Sequence, residues 1–240
     1  MKIILFDIWS DYGYFGKYYT TSSPLTFSFP PLPTIKGMIG AISGLDKNVY
    51  IDELNKLNFK ASVKIINPIK KIRMGINLIN TKDNFWIPVK KKSHEPRTQV
   101  NFEFLKNPYY RLYISCDEPF FTQLNNSIKN HNSYYTLSMG LSELIANFKY
   151  VGLFEAKEIN SKLEVDIDSP INISHIDTTN RWLKIENDKS YIKEMLPTIM
   201  NSKREIEKYD FYLYEPKGQA IKCLAQKYWE VENGDNIIFF

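Results

Sequence analysis

A proline-punctuated stretch close to the N-terminus constrains this chain most. It runs from Ser10 to Pro33 and closes on Phe-Pro-Pro-Leu-Pro. Proline lacks a backbone N–H and fixes φ, so neither a regular helix nor a central strand passes through it. A loop this long inside a compact domain is uncommon and often functional. The elements on either side must therefore be separate. Before it, Ile4, Phe6 and Ile8 alternate on one face of a strand over 3–9, with Leu5 on the other. After it, Thr34 stands where an N-cap belongs, and Ile35, Met38, Ile39 and Ile42 share one helical face as far as Gly44. Gly37, Gly40, Ala41 and Gly44 surround that stripe. Glycine is a poor helix former, so its use here implies close packing by a sheet or another backbone.

Further along, 59–79 reads as strand, with Val63, Ile65, Ile69, Ile72, Met74 and Ile76 as apolar positions. Residues 80–107 form a polar, basic excursion with turn signals at Asp83-Asn84 and Glu95-Pro96. A strand over 109–115, an amphipathic helix over 120–128 and a strand over 148–154 follow. The order strand, helix, strand, insertion, strand, helix, strand is that of the α+β ferredoxin-like fold used by single-stranded RNA readers, whose four-stranded sheet commonly faces the RNA. That fold hosts many other activities as well. The last third carries short strand-like pieces at 163–167, 181–186, 209–214 and 237–240, broken by Pro170, Pro197 and Pro216. The expectation is an RNA-binding domain over 1–155 and a small β-rich part over 156–240, packed on the first because no Gly/Ser linker divides them.

Composition narrows the function classes. With 240 residues, 43% hydrophobic and 24% charged, this is a folding chain, not a disordered one. Residues 1–120 carry 17 basic against 10 acidic side chains, and the remainder 14 against 17. A basic first half and a mildly acidic second half imply surfaces with different partners, the alternative being ordinary lysine-rich composition. Cys116 and Cys223 lack ligand spacing and read as reduced. No apolar run approaches membrane-spanning length, and MKIILFDIWSD turns acidic too early for a signal peptide. A cytoplasmic location without membrane contact is expected.

Two regions carry candidate chemistry. In the first, Tyr12, Tyr14, Phe15 and Tyr18 can stack on bases, while Lys17, Thr21, Ser22 and, on the following helix, Lys36 supply donors. The alternative is a loop packed by its own aromatics. In the second, Lys70, Lys71, Arg73, Lys90, Lys91, Lys92 and Arg97 would favour a polyanion, or form a solvated face. On a strand, Lys71 and Arg73 share a face and Lys70 does not. His94, His131 and His175 have no metal-ligand spacing, and GMIGAISG lacks the ending of a phosphate loop. No cofactor, metal or catalytic triad is expected.

The stretch FDIWSDYGYFGKYYTTSSPLTFSFPPLPTIKGMIGAISGL resembles the N-terminal signature of the Cas-five family of CRISPR-associated RNA-binding proteins. RTQVNFEFLKNPYYRLYI, YYTLSMGLSELIANFKYVG and EMLPTIMNSKREIEKYDFYLYE are similar to further parts of it, so the resemblance spans most of the chain in order. It implies a non-catalytic subunit of a type I surveillance complex (Cascade) that caps the 5′ handle of the guide RNA. It also implies contacts with the repeated backbone subunit and the large subunit, and with target DNA through the assembled complex. The excursion at 80–107 falls where the family carries a β-hairpin thumb, and the wording lies nearest subtype I-B. Gly16 departs from the family pattern, in which arginine is common, leaving Lys17 as the phosphate contact of choice. Relatives of another subtype cut repeat RNA without metal. For that alternative Tyr18 or Tyr19, Lys17 or Lys92, and His94 are the candidates, but the subtype I-B resemblance assigns the cut to a separate ribonuclease.

Overall fold

The computed structural model describes residues 1–20, 22–82, 87–88, 90, 95–160, 163–176 and 182–240. The first strand, β1 (Lys2–Trp9), leads to a two-residue strand β2 (Tyr12–Gly13), then helices α1 (Leu32–Ser43) and α2 (Tyr50–Lys56). Strand β3 (Lys60–Ile65) precedes a hairpin of β4 (Lys71–Ile79) and β5 (Arg97–Lys106). Strand β6 (Tyr109–Ser115), helix α3 (Phe120–Lys129) and the 14-residue β7 (Asn147–Asn160) complete the first part. Seven short to medium strands follow: β8 (Glu164–Ile167), β9 (Ile171–Asn172), β10 (Ile192–Met200), β11 (Ile206–Tyr214), β12 (Ile221–Leu224), β13 (Lys227–Val231) and β14 (Asn236–Ile237).

The principal sheet has the order β14-β13-β7-β1-β6-β3, antiparallel throughout. Four consecutive strands at one side of it, β7-β1-β6-β3 with β3 at the edge, give the ferredoxin-like order, as the sequence pattern implies. Both faces of β1 are buried. Ile4, Phe6 and Ile8 pack with Ile35, Ile39 and Ile42 of α1 and Leu124 and Ile128 of α3. On the opposite face, Ile3, Leu5 and Tyr113 meet Trp229, Val231, Ile237 and Phe239. This covers much of the sheet face that the sequence reading left open for RNA.

Strand β7 accounts for the covering. Its first part pairs with β1 and its last residues pair with β13, so β13 and β14 extend the same sheet. The strand runs through positions 155 and 156, where the sequence reading divided the chain. Of the small sheets β10-β11-β9, β12-β8 and β2-β5-β4, the first two contribute Ile167, Ile171, Leu213, Ile221 and Cys223 to a separate core that also holds Ile238.

Local departures from the sequence reading have simple causes. Helix α1 begins at Leu32 with Pro31 as N-cap, so Thr34 lies inside it; proline is tolerated in a first turn, whose N–H groups lack partners anyway. The single strand expected over 59–79 is two strands in different sheets, broken after Ile65 by Asn67-Pro68. Strand β10 contains Pro197, which an edge strand accepts and which sits at a register shift. Leu183 makes only an isolated bridge to Cys223. No helix among the described residues is long and apolar enough to cross a membrane.

Candidate nucleic-acid interface

The proline-punctuated loop is an ordered hairpin-like arm. Gly16 bridges Thr26, the Lys17 N–H donates to the Leu25 carbonyl, and the Phe27 N–H donates to the Phe15 carbonyl. Fully buried Thr26 accepts the Phe15 N–H on its Oγ1 at 2.8 Å. Phe15, Phe27 and Phe29 fill the core and anchor the arm. Phe15 is 3% exposed, so its ring packs and offers no face to a base, contrary to its sequence-based assignment. At the arm's start, Gly140 adopts φ +104°, and a Cβ there would lie 1.8 Å from the Tyr14 carbonyl oxygen. Only glycine fits this approach.

The arm lies against the base of the β4–β5 hairpin. The Glu103 N–H donates to the Pro24 carbonyl, and Lys71 Nζ donates to the Thr26 carbonyl at 2.8 Å while pairing with Glu103 at 3.3 Å. Alternation divides the hairpin into two faces. Lys71, Arg73 and Asn77 share a mainly polar face with Glu103, Asn101 and Gln99, where Glu103 stands across from Arg73, Gln99 across from Asn77 and Leu105 across from Lys71. Ile72, Met74 and Ile76, with Phe104, Phe102 and Val100, form an apolar one. Tyr14 lies on that apolar face, its ring 5.4 Å from Phe102 and 5.8 Å from Phe104.

The arm's tip meets the C-terminal hairpin. Tyr18 is 49% and Tyr19 54% exposed, and their rings touch edge to face. Tyr18 lies 4.7 Å from Tyr209 on β11, two positions before the exposed Phe211. Lys193 of β10 places its ammonium 4.3 Å over the Phe211 ring. A groove of about 550 Å³ joins the three elements, lined by Lys17 and Tyr19 of the arm, Ile69 and Lys71 at the base of the β4–β5 hairpin, and Lys193 and Met195 of β10. Exposed aromatics beside cations are what sequence-tolerant binding of a single strand requires, since every base has a stackable face.

The cations differ in availability. Lys17 pairs with Glu194, and both side chains are largely buried. Burial alone would lower the Lys17 ammonium, but the hydrogen bond and attraction to Glu194 outweigh it and hold it above the usual lysine range. Its charge is thus already compensated within the protein, which opposes the phosphate role assigned to it from sequence. Lys90 pairs with Glu95 at 3.5 Å, both exposed. Lys193, Arg73 and Arg97 have no ion-pair partner among the described residues.

Of the other sequence candidates, Tyr12 sits in β2 opposite Lys106, and Ser22 is exposed near the arm's tip. Lys36 contacts Asn55 and the Phe59 ring, and burial lowers its pKa; neither contact lines the groove. Thr21, Lys91 and Lys92 lie outside the described residues, as does His94. The sequence reading missed Lys193, Tyr209 and Phe211. Their signal was the i, i+2 spacing of Tyr209 and Phe211 on a recognised strand. Among the described residues no group of three or more His, Cys, Asp or Glu could hold a metal ion.

Comparison with known proteins gives the family. Among the solved structures that share the fold are the following three. One is a CRISPR protein from Archaeoglobus fulgidus, with a TM-score of 0.56, 14% identity and 98% of each chain covered. Another is a chain of a CRISPR RNA-guided surveillance complex, with a TM-score of 0.51, 11% identity and 92% and 91% covered. A third belongs to the type III-B Cmr-beta complex bound to cognate target RNA, with a TM-score of 0.52, 12% identity and 92% and 86% covered. No curated protein matches. The family model described as CRISPR-associated protein (Cas_Cas5) matches residues 3–208, and the chain belongs to that family.

Proposed function

We propose that this chain is a non-catalytic RNA-binding subunit of a type I CRISPR surveillance complex, closest to subtype I-B, that caps the 5′ handle of the guide RNA. In the complex it contacts the repeated backbone subunit and the large subunit in the cytoplasm, and meets target DNA only through the assembly. The observation carrying this reading is the groove lined by Tyr19, Lys71 and Lys193, together with exposed Tyr18 against Tyr209 and exposed Phe211 beneath the Lys193 ammonium. Family membership over residues 3–208 supports the setting. The surveillance-complex chain that shares the fold supports it at the level of architecture.

The test is a salt titration of the purified protein with repeat-derived handle RNA and with duplex DNA. Handle RNA is expected to bind more tightly. Lys193→Glu and Arg73→Glu should each weaken binding and flatten the salt dependence by about one phosphate contact. Equal affinity for duplex DNA would sink the handle-specific reading. Cleavage is assayed separately, by incubating excess protein with labelled repeat RNA in a metal chelator. Bound, intact RNA is expected; a single cut lost on His94→Ala would install the ribonuclease reading instead.

A further inference from the structure

The groove occupies one region of the molecule, and the sheet face turned away from α1 and α3 offers another. RNA readers with this strand order stack bases on aromatics carried by the exposed face of their sheet. Here the central strands are β1 and β6, and their face is covered around Ile3, Leu5 and Tyr113 by Trp229, Val231, Ile237 and Phe239. The covering ends at a polar row. Tyr113 donates to Asp235 at 2.6 Å, and Lys64 donates to Asp168 and Asp235 at 2.8 and 2.6 Å. Beyond it lie Asp7, Arg111 and Lys149, in register across β1, β6 and β7. Arg111 grips Asp7 through Nε at 2.7 Å and Nη2 at 3.1 Å, and the Tyr109 hydroxyl donates to the same carboxylate at 3.1 Å.

The final row is Trp9 paired directly with Tyr109. Both are half-buried, with rings 5.6 Å apart at 63°. Against this pair opens a cavity of about 340 Å³, lined also by Ser10, Asp11, Asn67, Asn107 and Pro108. That volume falls in the range of small-ligand pockets. Its rim is fixed by two hydrogen bonds: the Asn107 N–H donates to the Asp11 carbonyl, and the Asn67 side-chain Nδ2 donates to the Asn107 carbonyl. The Asp11 carboxylate and the Asn107 side-chain amide have no hydrogen-bond partner among the described residues. Lys106 and Lys149 flank the site, exposed and without ion-pair partners among the described residues.

We propose that this open end of the sheet is a second subsite, which takes one unpaired nucleotide of the bound guide RNA. The base stacks on the Trp9–Tyr109 pair. Asp11 accepts an amino or imino N–H from its edge, and the Asn107 amide donates to a neighbouring base acceptor. Lys106 and Lys149 face the flanking phosphates. An aromatic pair beside an unpaired carboxylate and amide matches a base edge, which carries donors and acceptors side by side. The inference rests on the reading that this chain holds guide RNA.

The experiment measures binding of repeat-derived RNA by the full-length protein across a salt series. Trp9→Leu and Tyr109→Leu are expected to weaken binding about five- to a hundredfold, the range for losing one base stack. The salt slope should stay unchanged, because stacking releases no counterions. Trp9→Phe should restore most of the affinity. Wild-type affinity in a folded Trp9→Leu variant would overturn the subsite and leave the groove standing. A Lys193→Glu variant with unaltered affinity would remove the groove, not the subsite. Should the leucine variants fail to fold, the wild-type protein decides by photo-crosslinking to 4-thiouridine-substituted RNA. Crosslinks at Trp9–Asp11 or Asn107–Tyr109 support the subsite, and crosslinks confined to Tyr18, Tyr19, Lys193 and Tyr209–Phe211 overturn it.

Discussion

Lys17 and Glu194 show how a residue chosen for its charge can serve another end. The pair joins the arm to β10 at a place where both side chains are largely buried, and the Ser28 N–H and the Tyr214 hydroxyl also approach the Glu194 carboxylate, at 3.4 and 3.5 Å. Removing one partner of such a pair leaves an uncompensated buried charge and costs about 3–5 kcal/mol, whereas replacing both by apolar groups is often near neutral. Glu194→Leu alone should therefore destabilise the protein by about 3 kcal/mol, and the Lys17→Met/Glu194→Leu double variant by much less. Urea melts of the four-member cycle would measure this. Strictly additive losses would show that the two charges do not need each other. The polar row that ties β3 and β6 to the C-terminal part makes a pH prediction. Burial would raise Asp235, but hydrogen bonds from Lys64 and Tyr113 outweigh it and hold its carboxyl below the usual range. A depressed carboxylate contributes stability that is present above its unfolded pKa of about 3.9 and is lost as pH falls through the folded value. Lys64 is held above the usual lysine range, because its bonds to Asp168 and Asp235 outweigh burial. Its contribution is present below the unfolded lysine pKa of about 10.4 and is lost only as pH rises through the folded value. The row should thus be insensitive to pH through neutrality. Asp235→Asn should destabilise the protein at pH 7 and reduce its loss of stability on acidification below about pH 4, as read from chemical denaturation at both ends.

At the scale of elements, the glycines of α1 test the close-packing argument made from sequence. A Cβ on Gly40 would stand 3.2 Å from the Tyr50 Cβ, so the close neighbour is α2, a helix the sequence reading did not find. Overpacking such a contact costs about 1–3 kcal/mol. Gly40→Leu should lower the melting temperature accordingly and leave RNA affinity at wild-type strength once corrected for the folded fraction. A loss of affinity without a loss of stability would place RNA against this helix. Other elements were legible for clear reasons. Ile4, Phe6 and Ile8 alternate cleanly, and their face is the one α1 and α3 bury. The thumb was placed late, at 80–107, although β4 already begins at Lys71. Asn67-Pro68 marks a break between two apolar alternations, but neither half carries a mark of which sheet it joins. Strand β10 was hidden by Pro197, which only its place at a sheet edge makes acceptable. The groove was half legible. Lys71 and Tyr18 stood out within their own segments. Lys193, Tyr209 and Phe211 come to them from far along the chain, through a pairing that no local pattern announces.

For the whole molecule, the β4–β5 hairpin leaves apolar side chains at its outer end exposed, among them Leu78 and Ile79. Near its base it is a three-stranded sheet, where β2 pairs with Leu105 and Lys106 and Tyr14 covers Phe102 and Phe104. Farther out, among the described residues, β4 and β5 pair only with each other, and Leu78 is 42% exposed. A two-stranded ribbon is marginally stable in water unless something packs on its apolar face. The opposite face is polar and carries Arg73, Asn77, Gln99 and Asn101, so one ribbon can meet two different neighbours. Under the proposed function the polar face follows the guide, and Ile76, Leu78 and Val100 rest on the adjacent backbone subunit. The two faces can be separated experimentally. Ile76→Asp with Leu78→Asp should change the stability of the isolated protein by no more than about 1 kcal/mol, since surface positions away from a packed core tolerate substitution. It should sharply reduce co-purification of the backbone subunit while leaving binding of free handle RNA intact. Arg73→Glu should do the reverse, weakening RNA binding with a smaller effect on the protein contact. If the aspartate pair leaves assembly intact, the apolar face does not hold the backbone subunit. If it abolishes RNA binding by the isolated protein as well, the two faces do not divide the work in this way.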